Sequence, residues 1–389
     1  MRRSTLLTGF YLTITLLFSA ALSANQTLAY EDKAAITQTI EQYFYGSSHS
    51  DADTLAQAFH PDALLYLEKA NTPLWQVSAK EYLSWHKDKN KGRSNGRIGR
   101  IVQIDANDNL ANVKAEILLP GKKLRYIDMF LLKKIDNKWQ IISKSAASAD
   151  SNNNGQRILF ILSSAHFHGD SDLPTGVSFA EIVNAYDEFV TAGYSVDFVS
   201  PNGGALPLAY INTSEPMQKK YLYNADFMYA IGNTLTPTQI KPENYRAVHY
   251  VGGTNAMYGV ADNTALQRIS MEIYEQHNGI ISAVCHGTAG IAHLRLQNGD
   301  YLVKDKRISG YPDEYENPDR PYFKQFPFHI TKTIEQRGGT FLYSPRGEVH
   351  VEVDGRIVTG QNYQSSAPVA RAMIKILQAQ QNHKTLLYF

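Results

Sequence analysis

Apolar positions along this chain follow one rhythm up to about residue 144 and another from about residue 157. In the first stretch Ile36, Ile40, Tyr43 and Phe44 recur at helical spacing, which predicts a helix over 34–45. Asp51 and Asp53 are placed to cap a second helix carrying Leu55, Ala58 and Phe59, and Ser78 a third carrying Tyr82, Leu83 and Trp85. Residues 63–67 read as a short strand. Longer strand-like runs follow at 97–104, 109–119, 123–135 and 138–143. Asp105 to Asp108 mark one turn between them and Asp136-Asn137 a tight hairpin. Helices first and a meander afterwards predict an α+β cone with a curved antiparallel sheet, spanning 33–146.

Residues 145–155, Ser-Ala-Ala-Ser-Ala-Asp-Ser-Asn-Asn-Asn-Gly, are small and polar with no apolar period, so 147–156 are expected to be a linker. Beyond it strands and helices alternate. Residues 157–163 form a continuous apolar run, as in a parallel strand buried on both faces. A helix over 178–192 ends at Gly193; strands follow at 194–200 and 247–251, the latter closing on Gly252-Gly253. A helix over 265–278 leads to a strand at 279–284, which runs into a helical pattern over 285–294. A strand at 356–359 and a helix over 366–378 complete the series. The alternation predicts an α/β doubly wound, flavodoxin-like parallel sheet over 157–380.

The 389 residues are enough for two or three domains, and 43% hydrophobic against 19% charged residues supplies a sizeable core. A formal charge of +1 gives no field for nucleic acid or an anionic membrane surface, so neither is expected as a partner. Arg2 and Arg3 precede a mostly apolar run from Leu6 to Leu22, followed by Ser23 and Ala24. A basic head, a short apolar stretch and a small-residue exit describe a secretory signal peptide over 1–24, hence a periplasmic or secreted protein with no membrane attachment after cleavage. The chain has one cysteine, which excludes an internal disulfide or a two-cysteine redox couple.

That cysteine, Cys285, falls at the end of a buried strand on the turn into a helix, above the carboxyl edge of the sheet where open α/β folds bind ligands. Gly287, Ala289 and Gly290 let the helix pack close, and a helix N-terminus there is expected to favour the thiolate. Other candidates carry less. His166 and His168 with Asp170 share a face of an extended segment but read as polar loop residues, and no metal or other cofactor is expected. Trp75, Trp85 and Trp139 read as core anchors. His60, Tyr66, Glu68 and Asp128 are the residues that would line a pocket in the cone.

Two resemblances sharpen these readings. Residues 33–144, chiefly the run from Tyr126 to Lys144, resemble the SnoaL-like and lumazine-binding-like cone family, which implies a small-ligand or dimerisation module and no assigned chemistry. Residues 158–377 resemble the ThiJ/PfpI superfamily, related to class I glutamine amidotransferases, nearest its glyoxalase III branch. The matching phrases are Pro174 to Glu181, Tyr245 to Gly253, Ala283-Val-Cys-His-Gly287 and Val353 to Asn362. The resemblance implies Cys285 as nucleophile, His286 as its acid/base neighbour and Glu181 as a buried carboxyl against the thiol. It also implies backbone N–H groups of Gly253 and His286 as an oxyanion hole. Glu314, in the loop Gly310 to Glu316, is the expected acidic partner of His286, with Asp313 and Glu316 as alternatives.

The branch usually reads Gly-Gly-His-Gly at the oxyanion loop, whereas this chain reads Gly252-Gly-Thr-Asn255. The implied function is glutathione-independent conversion of a 2-oxoaldehyde such as methylglyoxal to a 2-hydroxy acid, by a homodimer. An amidase or peptidase using the same cysteine, and a non-enzymatic redox sensor or chaperone, are the alternatives.

Overall fold

A computed structural model describes residues 31–86 and 90–386; the expected signal peptide lies outside the described residues. The chain divides into two compact units that meet in sequence at Ser151 and Asn152.

In the N-terminal unit a helix over 31–48 (α1) is followed by α2 (Ala52–Ala58) and α3 (Ala79–Ser84). The side chain of Asp51 accepts from Asp53 N and Thr54 N, and Ser78 accepts from Glu81 N, so both expected caps are present. The helices cover a six-stranded sheet of β1 (Phe59–Lys69), β2 (Thr72–Ser78), β3 (Ile98–Asn107), β4 (Leu110–Leu119), β5 (Leu124–Ile135) and β6 (Lys138–Asp150), in the order β2-β1-β6-β5-β4-β3. Neighbours are antiparallel except β1 and β6, which run parallel. Asp136 and Asn137 both take positive φ, 49° and 60°, as a primed hairpin turn requires. The pattern does not predict β2, which lies at the edge of the sheet. Trp139 is buried as expected, but Trp85 is 44% exposed and stacks on Trp75 at the surface.

The expected linker is corrected at its start. Strand β6 runs on to Asp150, pairing with β5 through Leu124↔Asp150, and Ser148 bonds Glu68 through both N–H and hydroxyl. Ladder bonds belong to the backbone, so a strand whose side chains there are mostly exposed needs no apolar alternation. Asn152 and Asn153, read as free linker, also bond within the second unit, to the Thr191 carbonyl and the Ser195 hydroxyl.

The C-terminal unit holds β7 (Arg157–Ile161), β8 (Val177–Ser178), α4 (Phe179–Thr191), β9 (Ser195–Val199), β10 (Leu208–Ala209), α5 (Pro216–Leu222), α6 (Ala225–Gly232) and β11 (Tyr245–Tyr250). It continues with α7 (Thr264–Glu275), β12 (Ile280–Val284), α8 (Ala289–Ala292), β13 (Arg307–Ile308), α9 (Ile330–Gln336), β14 (Thr340–Phe341), β15 (Val351–Asp354), β16 (Ile357–Gly360) and α10 (Ser366–Leu386). The main sheet has the order β15-β16-β12-β11-β7-β9. Its five parallel strands, taken in chain order, therefore run 2-1-3-4-5, the flavodoxin-like arrangement, with β15 added antiparallel at one edge.

Period-two alternation buries both faces. Ile158, Phe160 and Leu162 enter one apolar cluster with α4 and α10, while Leu159 and Ile161 enter another with α7 and α8. The helix expected over 285–294 is shorter than its pattern: a 3₁₀ turn (Cys285–Thr288) followed by the four residues of α8.

Candidate active site at the carboxyl ends of β11 and β12

Strand β12 is buried at all five residues, and it delivers Cys285 to the carboxyl edge of the sheet. Cys285 takes φ 55°, in the left-handed region. A side chain with a Cβ is strained there by roughly 1–2 kcal/mol, a conformation typical of a nucleophile on a sharp strand-to-helix turn. Its Sγ lies 3.4 Å from His286 Nδ1. His286 Nε2 in turn meets Glu316 Oε1 at 2.7 Å, and Tyr322 Oη donates to Glu316 Oε2 at 2.6 Å. The imidazole is clamped: Tyr311 stacks on it with centroids 4.7 Å apart, and Phe326 meets it edge-on. A thiol, an imidazole and a carboxylate are thus joined in one hydrogen-bonded line, the arrangement of nucleophile, base and orienting acid.

Glu181 reaches the same sulfur from the first turn of α4. It is 2% exposed, bonds the thiol, and accepts from Gly252 N–H at 2.8 Å. Gly252 is required: a Cβ there would lie 2.5 Å from Glu181 Oε2 and 2.9 Å from Cys285 Cβ. Gly253 follows with φ 102°. The next residue, Thr254, bonds Thr175 through the two hydroxyls at 2.8 Å, and Asn255 donates to the carbonyls of Ser163 and Ala165. The Gly252-Gly-Thr-Asn255 loop is therefore pinned to the end of β7 and to the segment before β8 by side chains that the usual Gly-Gly-His-Gly sequence lacks.

Burial dominates the electrostatics. It pushes the Glu181 carboxyl up to about 8, against the hydrogen bonds from Cys285, Gly252 and Ser178 that favour its anion. Burial likewise pushes the Cys285 thiol up; an ionised Glu181 would push it further, and the His286 backbone N–H opposes both. This corrects the expectation of a thiolate favoured by a helix dipole, because the turn after Cys285 leads into only four α-helical residues. Near neutral pH Glu181 keeps its proton and is a hydrogen-bond donor to sulfur. Burial alone would raise Glu316 too, but the bond to His286, its charge, Tyr322 and Arg346 hold that carboxyl below the ordinary range.

The structure brings Cys285, His286, Glu181 and Gly253 together around one cavity of roughly 460 Å³. It does not bring in Glu314, whose carboxylate accepts from Tyr343 Oη at 2.5 Å on the surface. Glu316 takes the place assigned to Glu314. Asp313 and Glu314 sit in a 3₁₀ turn (Asp313–Tyr315), where Asp313 accepts from Lys332 N, and Glu316 leaves that turn in extended conformation toward His286. Pattern reading narrowed the acid to this loop but held no information about which way each carboxylate faces. Tyr311 and Tyr322 were missed altogether, since an aromatic in a loop has no distinguishing signal. The cone candidates do not converge. His60 Nδ1 accepts from Asp62 N, Glu68 bonds Ser148, and Asp128 is buried between Tyr43 Oη at 2.7 Å and Lys144 Nζ at 3.1 Å.

A flavodoxin-like sheet with a buried cysteine on a positive-φ turn, touched by a histidine and a glutamate, defines a class of cysteine-centred α/β domains. The chain belongs to the DJ-1/PfpI family, whose model matches residues 173–376. A second model, described as "Putative lumazine-binding", matches residues 31–145. Among similar proteins is the glutathione-independent glyoxalase hsp3102 of Schizosaccharomyces pombe, 28% identical over 242 residues, which cover 57% of this chain and 98% of that one. The crystal structure of glyoxalase III from Candida albicans superimposes with a TM-score of 0.51 at 26% identity, covering 57% of this chain and 96% of that one. The 24 kDa rapid encystment protein of Francisella tularensis shares the fold, with a TM-score of 0.54 at 23% identity over 57% of this chain and 98% of that one.

Proposed function

We propose that this protein converts a 2-oxoaldehyde to a 2-hydroxy acid without glutathione, through a covalent adduct on Cys285. The observation that carries the reading is the meeting of Sγ with His286 Nδ1 at 3.4 Å and with Glu181 inside one cavity, and the glyoxalases among its relatives support it. His286 takes the thiol proton, and Glu316 balances the charge on the imidazolium. Sulfur attacks the aldehyde carbon; the C=O electron pair moves to oxygen, facing the Gly253 and His286 N–H groups, and that oxygen takes the proton from His286. Neutral His286 then removes the hydrogen from the former aldehyde carbon to leave an enediolate; the hydroxyl proton on that carbon passes to the neighbouring oxygen, and the imidazolium returns its proton to the neighbouring carbon. Two electrons pass from the first carbon to the second, leaving a 2-hydroxyacyl thioester. Water adds at the thioester, the C–S bond breaks, and the acid leaves with the thiol restored. No external oxidant or reductant enters.

Glu181 is not the base in this scheme, because a carboxyl titrating at about 8 is protonated at neutral pH. It donates to sulfur and favours the developing thiolate.

The nucleophile–base–acid line equally fits attack on an amide carbonyl, which is the second reading. Turnover of methylglyoxal, glutamine and peptide amides by wild type and Cys285→Ser separates the two. Methylglyoxal consumption with lactate formed, abolished in the variant, is the expected result; amide hydrolysis alone would assign the second reading. Loss of neither activity in Cys285→Ser would remove the cysteine from the chemistry. The basic and apolar stretch at 1–24 supports export to a periplasm or the medium, and a homodimer is expected from the family resemblance, to be checked by light scattering.

A further inference from the structure

We infer that the substrate carries an anionic group, carboxylate or phosphate, held in a second cavity beside the cysteine pocket. This deepens the glyoxalase-type reading and rests on it. The second cavity has a volume of roughly 690 Å³ and shares Tyr210, Thr254 and Tyr322 with the first, so the two adjoin along one wall. Arg320, Arg346 and His168 line it, and no carboxylate does. Arg346 donates to Tyr311 Oη at 3.3 Å, from the ring that stacks on His286. The Arg320 guanidinium, among the described residues, meets no carboxylate partner. Two cationic forks on a cavity that no carboxylate lines match the planar, bidentate geometry of carboxylates and phosphates; Glu316, bonded to Tyr322 on the shared wall, offsets part of the charge of Arg346 and leaves Arg320 as the principal anchor.

His168 is buried at 4% exposure, with Nδ1 3.3 Å from Tyr258 Oη and Nε2 3.5 Å from Thr254 Oγ1. Burial, and then the charge of His286, hold its pKa down, so near neutral pH it offers a neutral hydrogen-bonding ring and the arginines supply the positive charge. The size of the site points the same way. Cavities of about 300–1,000 Å³ enclose ligands far larger than a three-carbon aldehyde. Methylglyoxal at Cys285 would leave the second cavity and its arginines unused.

The test compares 4,5-dioxopentanoate, a 2-oxoaldehyde bearing a carboxylate, with its neutral methyl ester. Wild type is expected to prefer the acid in kcat/KM by about tenfold or more, the worth of one charge-assisted contact. Arg320→Met should erase that preference, and Arg320→Glu should reverse it. An acid-to-ester ratio that is near one in wild type, or unchanged in both variants, overturns the inference. A second measurement needs no turnover: protection of Cys285 from iodoacetamide by glutarate and by glycerol 3-phosphate, in wild type and in Arg320→Met. Protection of wild type alone supports the anion site, and whichever compound protects better identifies carboxylate or phosphate. Protection by neither overturns it. Protection without turnover of any 2-oxoaldehyde leaves the anion site standing and removes the glyoxalase reading.

Discussion

Replacing Glu181 by Gln tests the protonation state on which the proposed chemistry depends. Folding raises this carboxyl from 4.5 to about 8, chiefly by burial. A group that binds its proton more tightly in the fold contributes its full stability below pH 4.5. That contribution is lost as the pH climbs toward 8, where the folded carboxyl also ionises. At about 1.36 kcal/mol per pH unit, the loss is below about 1 kcal/mol at pH 5, about 3 kcal/mol at pH 7 and about 4 kcal/mol at pH 8. Glutamine keeps both contacts, accepting from Gly252 N–H through its carbonyl and donating to sulfur through its amide, but does not titrate. Glu181→Gln should therefore be increasingly the more stable protein as pH rises. The comparison belongs in a Cys285→Ser background, so that thiol titration drops out.

Urea unfolding followed by far-UV circular dichroism at pH 5, 7 and 8 gives the difference. Trp75, Trp85 and Trp139 all lie in the N-terminal unit, so tryptophan emission reports that unit and should show no pH-dependent gap between the pair. A circular dichroism gap that stays constant from pH 5 to 8 would mean Glu181 is already ionised in the folded protein, and it would refute the donor role.

Glu316→Gln removes the charge opposite His286 and is expected to lower kcat by about tenfold or more, with KM little changed, in single-turnover and steady-state assays. Because His286, Tyr322 and Arg346 hold Glu316 below the ordinary carboxylate range, the acid limb of the wild-type rate profile should not begin at the usual carboxylate pH; a limb near pH 4.5 that vanishes in Glu316→Gln would contradict this. Asp128→Ala strands Lys144, which is 4% exposed, and should destabilise the N-terminal unit by roughly 3–5 kcal/mol, read by tryptophan emission in urea. A fragment of residues 152–389 should fold with far-UV dichroism of a mixed α/β protein; a disordered spectrum would show that the second unit depends on the first. Sequencing of the mature protein should begin near Asn25, and a soluble protein starting at Met1 would remove the export proposal.

Much of this architecture was legible because burial on both faces leaves a coarse mark. The run Ile158 to Leu162 is apolar at every position and the run Ile280 to Val284 at all but Ser282, and each marks a strand of the parallel sheet. Cys285 was legible because it follows such a run and precedes small residues. What pattern could not supply was direction within irregular backbone. Glu314 and Glu316 differ by two positions in one loop, and only the course of the 3₁₀ turn decides that the second faces His286. Strand β6 past Ser145 was unreadable for the complementary reason: Ala146 to Asp150 are held by ladder bonds, which leave no trace in side-chain chemistry. The balance at Cys285 was misjudged chiefly because burial pushes the thiol up, a consequence of three-dimensional packing, and also because the 3₁₀ turn there leads into only four α-helical residues.

The positive φ of Cys285 sets stability and reactivity in opposition at a single residue. Glycine adopts that backbone without strain, and asparagine tolerates it better than cysteine, so either would relax the turn. Cys285→Gly should therefore lose less stability than the loss of a buried side chain alone would suggest. In a lineage where the chemistry was no longer needed, the relief of strain would lower the cost of replacing cysteine at this position. A gene copy freed for another role would then shed its nucleophile early, while the surrounding sheet, Gly252 and the pocket walls persisted as a binding site without a reaction.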